Sequence, residues 1–560
     1  MKKGFTLVEL IGVIIILGVL ALITFPIIDK SIKNSKQQAL DRTIDSIEKA
    51  AYNYSVENDI GYSTEYQKLK LSDLVSKGFL KENITNPVTD EQMQGCVLYK
   101  WDDTNNQYIF EYDEECEVPL FPRSLINILL TQYSEGNTTG LVKDSTNENL
   151  YYYKGTNEEV SNNFLWYGGH QWRVLEFDTS ANTLTLITQQ SLTPIQSASK
   201  VWTDESTYNS SYINTWLNDY FWNSLDSSIQ SNIQKTTFNV GIYTDVDEIT
   251  TEQNVGLLDQ VQYLRSGDGT SAVDSFLDIK DSFLLGNRYS SSYVRYVYND
   301  GSLSYSGRWY GSGVRAIIKI SDITITGGDG TLTSNYQVEN KATNTNNVQV
   351  GEYINVPYSG SDNVCGSDNM CTFRVVSKDE ENNRIKVVLN GLLPTKSALA
   401  DNALDNIITS DLIYTNVLNG FIENIDSKYI TTGTYGVGMY EIGNSYVVPQ
   451  STTISANIGL PTIGEMFSGN DIDMAYPADG EKTFVDVNTI ENPSVSNYYW
   501  TFNRGQSYSF CFVIYGGTFS YDGGPSSTFG VRPVIYLKAG TSSITFSGGK
   551  GTAQLPYVLQ

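Results

Sequence analysis

The first hydrophobic pattern in the chain is an apolar run near the amino terminus. From Phe5 to Ile28 the only ionisable side chain is Glu9, and Lys2 and Lys3 precede the run. At about 1.5 Å per residue, this run of 24 residues (28 − 5 + 1) forms a helix of about 36 Å, and a hydrocarbon core is about 30 Å thick. The pattern predicts a transmembrane helix over 5–28, with the lysines in the cytoplasm and the rest of the chain outside.

An ordinary signal peptide or a plain membrane anchor is the alternative interpretation of this run. A secretory peptide has an apolar core of about 7–15 residues followed by a small-residue cleavage site, whereas this run is longer and ends in Pro26-Ile27-Ile28-Asp29. A carboxylate inside the bilayer costs about 3 kcal/mol. A plain anchor needs no such group, so the pattern indicates a specific role for Glu9.

A helical pattern continues behind the membrane span. Apolar residues recur at spacings of four and three, which predicts a helix that buries one face: Leu40, Ile44, Ile47, Ala51 and Tyr54. We expect this stripe to pack on a small head, with stalk and head together covering 29–118. A coiled coil with a partner is the alternative. Within the head, Ser72 is predicted to cap a short helix and Gly78 to end it.

Alternating apolar and polar residues then predict a β-hairpin. The two strands face each other across the polar turn 102–106, and they carry Val97, Tyr99 and Trp101, then Tyr108, Phe110 and Tyr112. Cys96 and Cys116 lie at the outer ends of the hairpin. Outside the membrane these two cysteines are predicted to form a disulfide, with two free thiols as the alternative.

The remainder of the chain has short β-type runs and repeats itself once. Matching segments occur in the same order in both halves: Trp172–Leu175 with Phe373–Val376, Asn254–Leu257 with Asn457–Leu460, Leu303–Tyr305 with Phe519–Tyr521, and Gly313–Arg315 with Gly530–Arg532. A last pair is Ile325–Thr331 with Phe546–Thr552, and the offset drifts from 201 (374 − 173) to 221 (549 − 328). We therefore predict two tandem β-rich modules, at 119–340 and 345–560, in a fold of the α+β class.

Composition and charge restrict the possible functions. The chain has 37 basic and 63 acidic residues, a formal charge of −26, which argues against nucleic-acid binding. Its single histidine, His170, excludes a site built from several histidines. The five cysteines contain no CxxC pair, so a zinc module is not expected. Cys365 and Cys371 are close enough in sequence to staple a loop, which would leave Cys511 free.

The segment from Lys2 to Leu10, with Gly4, Phe5 and Glu9, resembles the leader of type IV prepilins and pseudopilins. The resemblance implies that a prepilin peptidase cuts between Gly4 and Phe5, leaving a leader of residues 1–4, and that the new amino terminus of Phe5 is methylated. Pro26 also falls where this family often carries a helix-kinking proline. The implied partners are the peptidase, other pilin subunits and the inner pilus assembly machinery.

The resemblance also suggests a role for Glu9 in filament assembly. In a dry bundle of apolar helices, a buried carboxylate and a buried ammonium must neutralise each other. Glu9 of one subunit can meet the Phe5 amine of its neighbour, and this pair would set the axial register.

The two modules resemble C-type-lectin-like bacterial surface modules, akin to the fold of the formylglycine-generating enzyme, with a generic β-sandwich as the alternative. That enzyme works with paired cysteines, a pattern this chain does not reproduce, and His170 is expected in a loop or core. We therefore assign no catalytic residue, cofactor or metal. Arg288 and Arg504 are expected to pair with internal carboxylates, with sugar-acid binding as the alternative. Asp362 and Asp368 lack the spacing of a calcium loop.

Binding is the function that these patterns favour. Tyrosine and small polar residues suit adaptable recognition loops, and the candidate ligand residues are Tyr293, Tyr305, Tyr521 and Asp522. The sequence therefore predicts a minor or tip pilus subunit, anchored in the membrane before assembly, that carries adhesin modules for a surface or glycan. A pseudopilin of a secretion or DNA-uptake machine is the alternative, and an enzyme displayed on a pilus is a third.

Overall fold

The computed structural model divides the chain into two compact units, Met1–Leu120 and Phe121–Gln560. The residues that it describes are 35–36, 39–40, 42–58, 60, 66–89, 91–102, 107–113, 123–134, 136, 140–196, 204–242, 249–267, 274–280, 282–290, 292–307, 311–338, 342–360, 365, 369–400, 409–437, 440–442, 447–449, 452–462, 465, 499–504, 510–513 and 519–560. Side chains are described for these residues except at 102, 193–196, 311, 440–442, 447–449, 504, 510–513 and 519–523.

The first unit packs a helix against a small antiparallel sheet. Helix α1 runs through 42–57, and the other elements are β1 (Gln67–Lys70), α2 (Leu71–Ser76), β2 (Cys96–Asp102) and β3 (Gln107–Asp113). The sheet order is β1-β2-β3. Ile47 and Ala51 are fully buried, and Leu40, Ile44 and Tyr54 pack on the same cluster. The predicted helical stripe is therefore confirmed, and it faces the head of its own chain.

Of the two predicted ends of α2, the end at Gly78 is confirmed and the start at Ser72 is wrong. Ser72 lies inside the helix, and the N-cap position is Lys70, which makes no side-chain capping hydrogen bond. The other end follows the prediction: Gly78 has φ +81°, a left-handed conformation that glycine adopts without strain. Phe79 N–H then donates to the carbonyl of Leu74 at 2.9 Å. The start was wrong because the chain enters the helix directly from β1.

The two strands of the predicted hairpin are confirmed, but Asp102, predicted as the first turn residue, is the last residue of β2 and pairs with Gln107. Tyr99 lies opposite Phe110 and Trp101 opposite Tyr108, and Tyr99 stacks on Phe110 with ring centroids 6.1 Å apart. Cross-strand aromatic pairs of this kind stabilise one face of a sheet. The alternation in the sequence was sufficient to fix the register because a shift of one residue would turn every aromatic ring to the other face.

The first half of the second unit is β-rich. Its strands are β4 (Arg123–Ser124), β5 (Leu141–Lys143), β6 (Leu150–Tyr153), β7 (Phe164–Tyr167), β8 (His170–Asp178), β9 (Thr183–Thr188), β10 (Thr193–Gln196), β11 (Ile233–Gln234), β12 (Thr236–Asn239), β13 (Thr250–Gln253), β14 (Phe283–Arg288), β15 (Tyr293–Val297), β16 (Leu303–Gly307), β17 (Gly311–Val314), β18 (Ile317–Ser321), β19 (Thr324–Gly327) and β20 (Tyr336–Val338). Its helices are α3 (Leu125–Ser134), α4 (Glu205–Asn209), α5 (Tyr212–Thr215), a π-helix (Trp216–Phe221), α6 (Trp222–Ser224), α7 (Ser227–Gln230) and α8 (Gln260–Ser266).

The second half repeats this plan. Its strands are β21 (Tyr353–Pro357), β22 (Met370–Asp379), β23 (Arg384–Leu389), β24 (Ile430–Thr431), β25 (Gly433–Gly436), β26 (Tyr440–Ile442), β27 (Val447–Pro449), β28 (Thr453–Ala456), β29 (Ile458–Gly459), β30 (Tyr499–Arg504), β31 (Phe510–Val513), β32 (Phe519–Gly523), β33 (Val534–Lys538), β34 (Phe546–Gly548) and β35 (Tyr557–Leu559). Its described helices are a π-helix (Tyr414–Leu418), α9 (Asn419–Ile422) and a 3₁₀ turn (Gly540–Ser542).

Both halves build their main sheet in the same strand order. The first sheet runs β11-β18-β9-β8-β7-β20-β19-β4, and the second runs β24-β33-β23-β22-β21-β35-β34. In each sheet the early strand pairs in parallel with the last one, β7 with β20 and β21 with β35. The internal repeat in the sequence thus has a structural counterpart, whereas the module boundaries at 119–340 and 345–560 stay predictions.

A smaller sheet accompanies each main sheet. In the first half its order is β10-β17-β14-β15-β16, and in the second half β30-β31-β32. The parallel bridge of Phe283 to Gly313 in the first half recurs as Tyr499 to Gly530 in the second. The equivalent hairpins β15–β16 and β31–β32 therefore occupy the same place in the repeat.

The two halves share one continuous apolar core. At their junction, a Cβ built on Gly169 would lie 1.9 Å from the carbonyl oxygen of Val350, and one on Gly351 would lie 2.3 Å from that of Gly169. Both glycines have positive φ. Any side chain here would force the backbones apart, so this contact requires glycine on both sides.

A buried arginine marks the passage from the small sheet to the main sheet in each half. Arg315 lies between β17 and β18, is 1% exposed, and donates from Nε to the Thr188 carbonyl at 2.8 Å. Its equivalent, Arg532, donates from Nε to the Leu389 carbonyl, also at 2.8 Å. Burial lowers the pKa of Arg315. Each guanidinium thus ties the small sheet to the end of a central strand of the main sheet.

We expect Arg315→Met to destabilise the fold by roughly 3 kcal/mol, because it orphans two buried carbonyls, those of Thr188 and Leu277. Urea unfolding of the full chain in detergent micelles, followed by tryptophan fluorescence, measures this loss. The exposed Lys143 provides the control, since Lys143→Met should change the free energy of unfolding by less than about 0.5 kcal/mol. Equal effects of the two substitutions would contradict the tying role of Arg315.

Candidate functional site

The predicted leader and assembly residues lie outside the described part of the chain. This holds for Gly4, Phe5 and Glu9 and for the whole predicted span 5–28. Among the residues that are described, no helix combines the length and the apolar character needed to cross a membrane.

One of the two predicted disulfides is present. Cys365 and Cys371 are bonded, with their Cα atoms 4.6 Å apart, and Cys371 is fully buried. Cys96 is also disulfide-bonded, but its predicted partner Cys116 lies outside the described residues, so that pairing stays a prediction. Cys511 is in β31, and its side chain is not described.

Tyr293 and Tyr305 come together on one face of the small sheet in the first half. In the hairpin of β15 and β16, Tyr293 lies opposite Gly307 and Arg295 lies opposite Tyr305. Residues opposite each other, or two apart on one strand, point to the same face. The two tyrosine rings are 5.5 Å apart in an edge-to-face arrangement, and 40% and 49% of their surfaces are exposed.

Two further side chains complete what we call the tyrosine–arginine patch, which consists of Tyr289, Tyr293, Arg295 and Tyr305. Tyr289 stacks on Tyr305 with centroids 4.0 Å apart and planes 4° apart. The guanidinium of Arg295 lies 4.4 Å from the centroid of Tyr289, a cation–π contact. Sequence reasoning missed Arg295, although its position two residues after Tyr293 in an alternating strand places it on the same face.

Arg295 has unused hydrogen-bonding capacity. Its Nε is buried without an acceptor, and within the described part of the chain the guanidinium makes no hydrogen bond or ion pair. An arginine carries five N–H donors in a planar fork that matches a carboxylate. The patch therefore combines exposed aromatic rings with a cation that has no ionic partner among the described residues and that is held in place by one of the rings.

The equivalent residues of the second half are only partly described. Tyr521 and Asp522 lie in β32, which corresponds to β16, but their side chains are outside the description. The structure thus brings Tyr293 and Tyr305 together and says nothing about contacts of Tyr521 or Asp522.

The expected internal pairing of Arg288 is not seen among the described residues and stays a prediction. Arg288 makes no ion pair with a described residue, and its Nε is buried without an acceptor. It lies opposite Val294, hence on the other face from Arg295. The side chain of Arg504, and Asp362 and Asp368, fall outside the description. No described group of three or more metal-ligating side chains is close enough to hold a metal ion.

His170 is a core residue on β8. It is 7% exposed, and its ring lies 5.4 Å from that of Phe221 and 6.4 Å from that of Trp172. Burial, with a smaller contribution from the charge of Arg374, lowers the pKa of His170 to about 3. His170 was expected in a loop or in the core, and the structure places it in the core.

Glu352 is the buried carboxyl of the junction between the halves. It is 4% exposed, accepts the Gln349 N–H at 2.7 Å on Oε2, and accepts the Tyr557 hydroxyl at 3.2 Å on Oε1. Burial outweighs these hydrogen bonds and raises the pKa of Glu352 to about 8. Two charges act in opposite directions: Asp226 raises the pKa of Glu352, and Lys378 lowers it.

Comparison with known proteins identifies the amino terminus. Residues 1–25 match the family model described as the prokaryotic N-terminal methylation motif. Searches of curated proteins and of solved structures found no match. The match supports a type IV pilin-like or pseudopilin-type subunit, and the motif implies processing by prepilin peptidase and assembly with other pilin subunits. The resemblance of the modules to C-type lectins stays a prediction.

The raised pKa of Glu352 predicts a pH-dependent stability. Between the ordinary value of 4.5 and about 8, the folded carboxyl keeps a proton that the unfolded chain has released, so the free energy of unfolding falls as the pH rises. Glu352→Gln mimics the neutral acid, so its free energy of unfolding should not fall in this way as the pH rises. Above the folded pKa we expect the variant to be more stable than the wild type by on the order of 2–4 kcal/mol.

Denaturant unfolding across this pH range measures the difference between Glu352→Gln and the wild type, which should vanish below the ordinary pKa. The exposed Glu158 supplies the control, since Glu158→Gln should follow the wild type throughout. A difference for Glu352→Gln that is independent of pH would show that the carboxyl is already ionised in the fold.

Proposed function

We propose that the protein is a minor, tip-located subunit of a type IV pilus or pilus-like filament, and that its second unit is an adhesin. The observation that carries this proposal is the combination of the methylation motif at residues 1–25 with a separate compact unit of 440 residues (560 − 120). The methylation motif gives the chain a route into a filament. The unit Phe121–Gln560 is far larger than the 120 residues that precede it.

Bulk supports a place at the filament end. A helical filament repeats one heterologous contact at every step, so every shaft position would need room for an additional 440-residue unit. A single terminal position has no following subunit to accommodate. A pseudopilin of a secretion or DNA-uptake machine is the alternative function.

The tyrosine–arginine patch supports a binding role for the second unit. Exposed tyrosines on a rigid sheet supply large contact areas at low cost in conformational entropy, and here Tyr289 and Tyr293 both contact Tyr305. We propose that the modules bind rather than catalyse, because the one histidine of the chain is held among aromatic rings in the core.

Glu9 provides the test of filament assembly. Without its carboxylate, the amine of a neighbouring Phe5 stays buried and unpaired, which typically costs about 3–5 kcal/mol. We expect Glu9→Val to be cleaved and inserted normally, while the ratio of this subunit in sheared filaments to that in membranes falls at least about tenfold. Quantitative immunoblotting of both fractions gives the ratio.

The matched control is Glu57→Val, the same chemical change at an exposed position of α1. Its ratio should equal that of the wild type. An unchanged ratio for Glu9→Val would count against the assembly role of this carboxylate, and a plain membrane anchor would produce that result.

Location in the filament separates the proposed subunit from the alternatives. We expect immunogold labelling with an antibody to Phe121–Gln560 to mark filament tips. Labelling along the shaft would identify a major pilin, and labelling confined to the cell envelope would favour a pseudopilin. The Glu9→Val strain serves as the control, because its tip labelling should decrease together with its filament fraction.

A further inference from the structure

The tyrosine–arginine patch has a chemistry that points to one class of ligand. Tyr293 and Tyr305 are 40% and 49% exposed, and the electron-rich face of a tyrosine ring attracts the partial positive charge of C–H groups. Its single cation, Arg295, holds unused donors beside those rings. A matching ligand therefore presents a flat C–H surface next to one anionic group.

The setting of Arg295 strengthens the inference of an external anion. The chain contains 63 acidic residues against 37 basic ones, so an internal carboxylate partner is easy to supply. Nevertheless Arg295 has no such partner within the described residues, whereas Arg265 pairs with Glu176 and Arg384 with Asp379. Stacking on Tyr289 fixes the fork in place, and no described residue supplies an ionic acceptor for its donors.

We propose that the tyrosine–arginine patch binds a carboxylated pyranose of a surface glycan, with the guanidinium of Arg295 on the carboxylate and the sugar ring packed against Tyr305 and Tyr293. A carboxylate matches the planar fork in a bidentate manner. A nucleic acid does not fit, because it needs a run of cations and this patch has one. A uronic acid in a polymer and a terminal sialic acid share the required chemistry.

This assignment rests on the proposed binding role of the second unit, and its failure would leave the filament role untouched. The test is calorimetric titration of the full chain in detergent micelles. The acidic probes are hexagalacturonate and 3′-sialyllactose, and the neutral probes are methyl-esterified hexagalacturonate and lactose. Hexaglutamate tests for an acidic peptide instead.

We expect at least one acidic sugar to bind, and its neutral counterpart to bind at least about tenfold more weakly. Arg295→Gln and Tyr305→Ala should each weaken the acidic sugar at least about tenfold. Tyr305→Phe keeps the ring and should retain binding within about twofold, which separates loss of stacking from misfolding.

Two control variants match the tested residues in exposure and charge. Tyr298, 46% exposed, lies just beyond β15 and contacts Tyr296 rather than the patch, so Tyr298→Ala should bind normally. Lys143→Gln removes an exposed cation elsewhere and should do the same. The proposal is overturned if no acidic sugar binds at millimolar concentration, if the neutral sugars or hexaglutamate bind equally well, or if Arg295→Gln and the controls behave alike.

Discussion

The guanidinium groups of Arg315 and Arg532 hold the two sheets of each half in register with one another. Each arginine lies where the chain leaves the small sheet for the main sheet, and each donates from Nε to the last residue of a central strand, Thr188 or Leu389. Each also lies over the ring of an equivalent aromatic residue, Phe283 or Tyr499. A buried charge that loses its hydrogen bonds to these carbonyls would destabilise the fold strongly. The hairpin that carries the patch is therefore held on a fixed frame.

The same frame carries different chemistry in its two halves. In the first half, Asp259 starts α8 with a capping box. In the second, Thr462 and Glu465 form the corresponding pair, and Glu465 also forms a buried ion pair with Lys386. The second half also carries the loop disulfide, and the described tyrosine–arginine patch belongs to the first. The repeated scaffold thus carries different side-chain pairs at equivalent positions of its two halves.

Local periodicity made much of this fold predictable. The stripe through Ile47 and Ala51 and the register of the aromatic hairpin follow from spacings of a few residues, and the internal repeat follows from self-comparison. Sequence reasoning failed where partners distant in the chain decide the outcome. The acceptors of Arg315 and the contact of Gly169 with Gly351 exist only once the sheets pack.

Processing and assembly as a pilin-like subunit are tested most directly by the amino terminus of the assembled protein. Mass spectrometry of the subunit from sheared filaments should find an amino-terminal peptide that begins at Phe5 and carries one additional methyl group. An assembled subunit that still begins at Met1 would contradict the account.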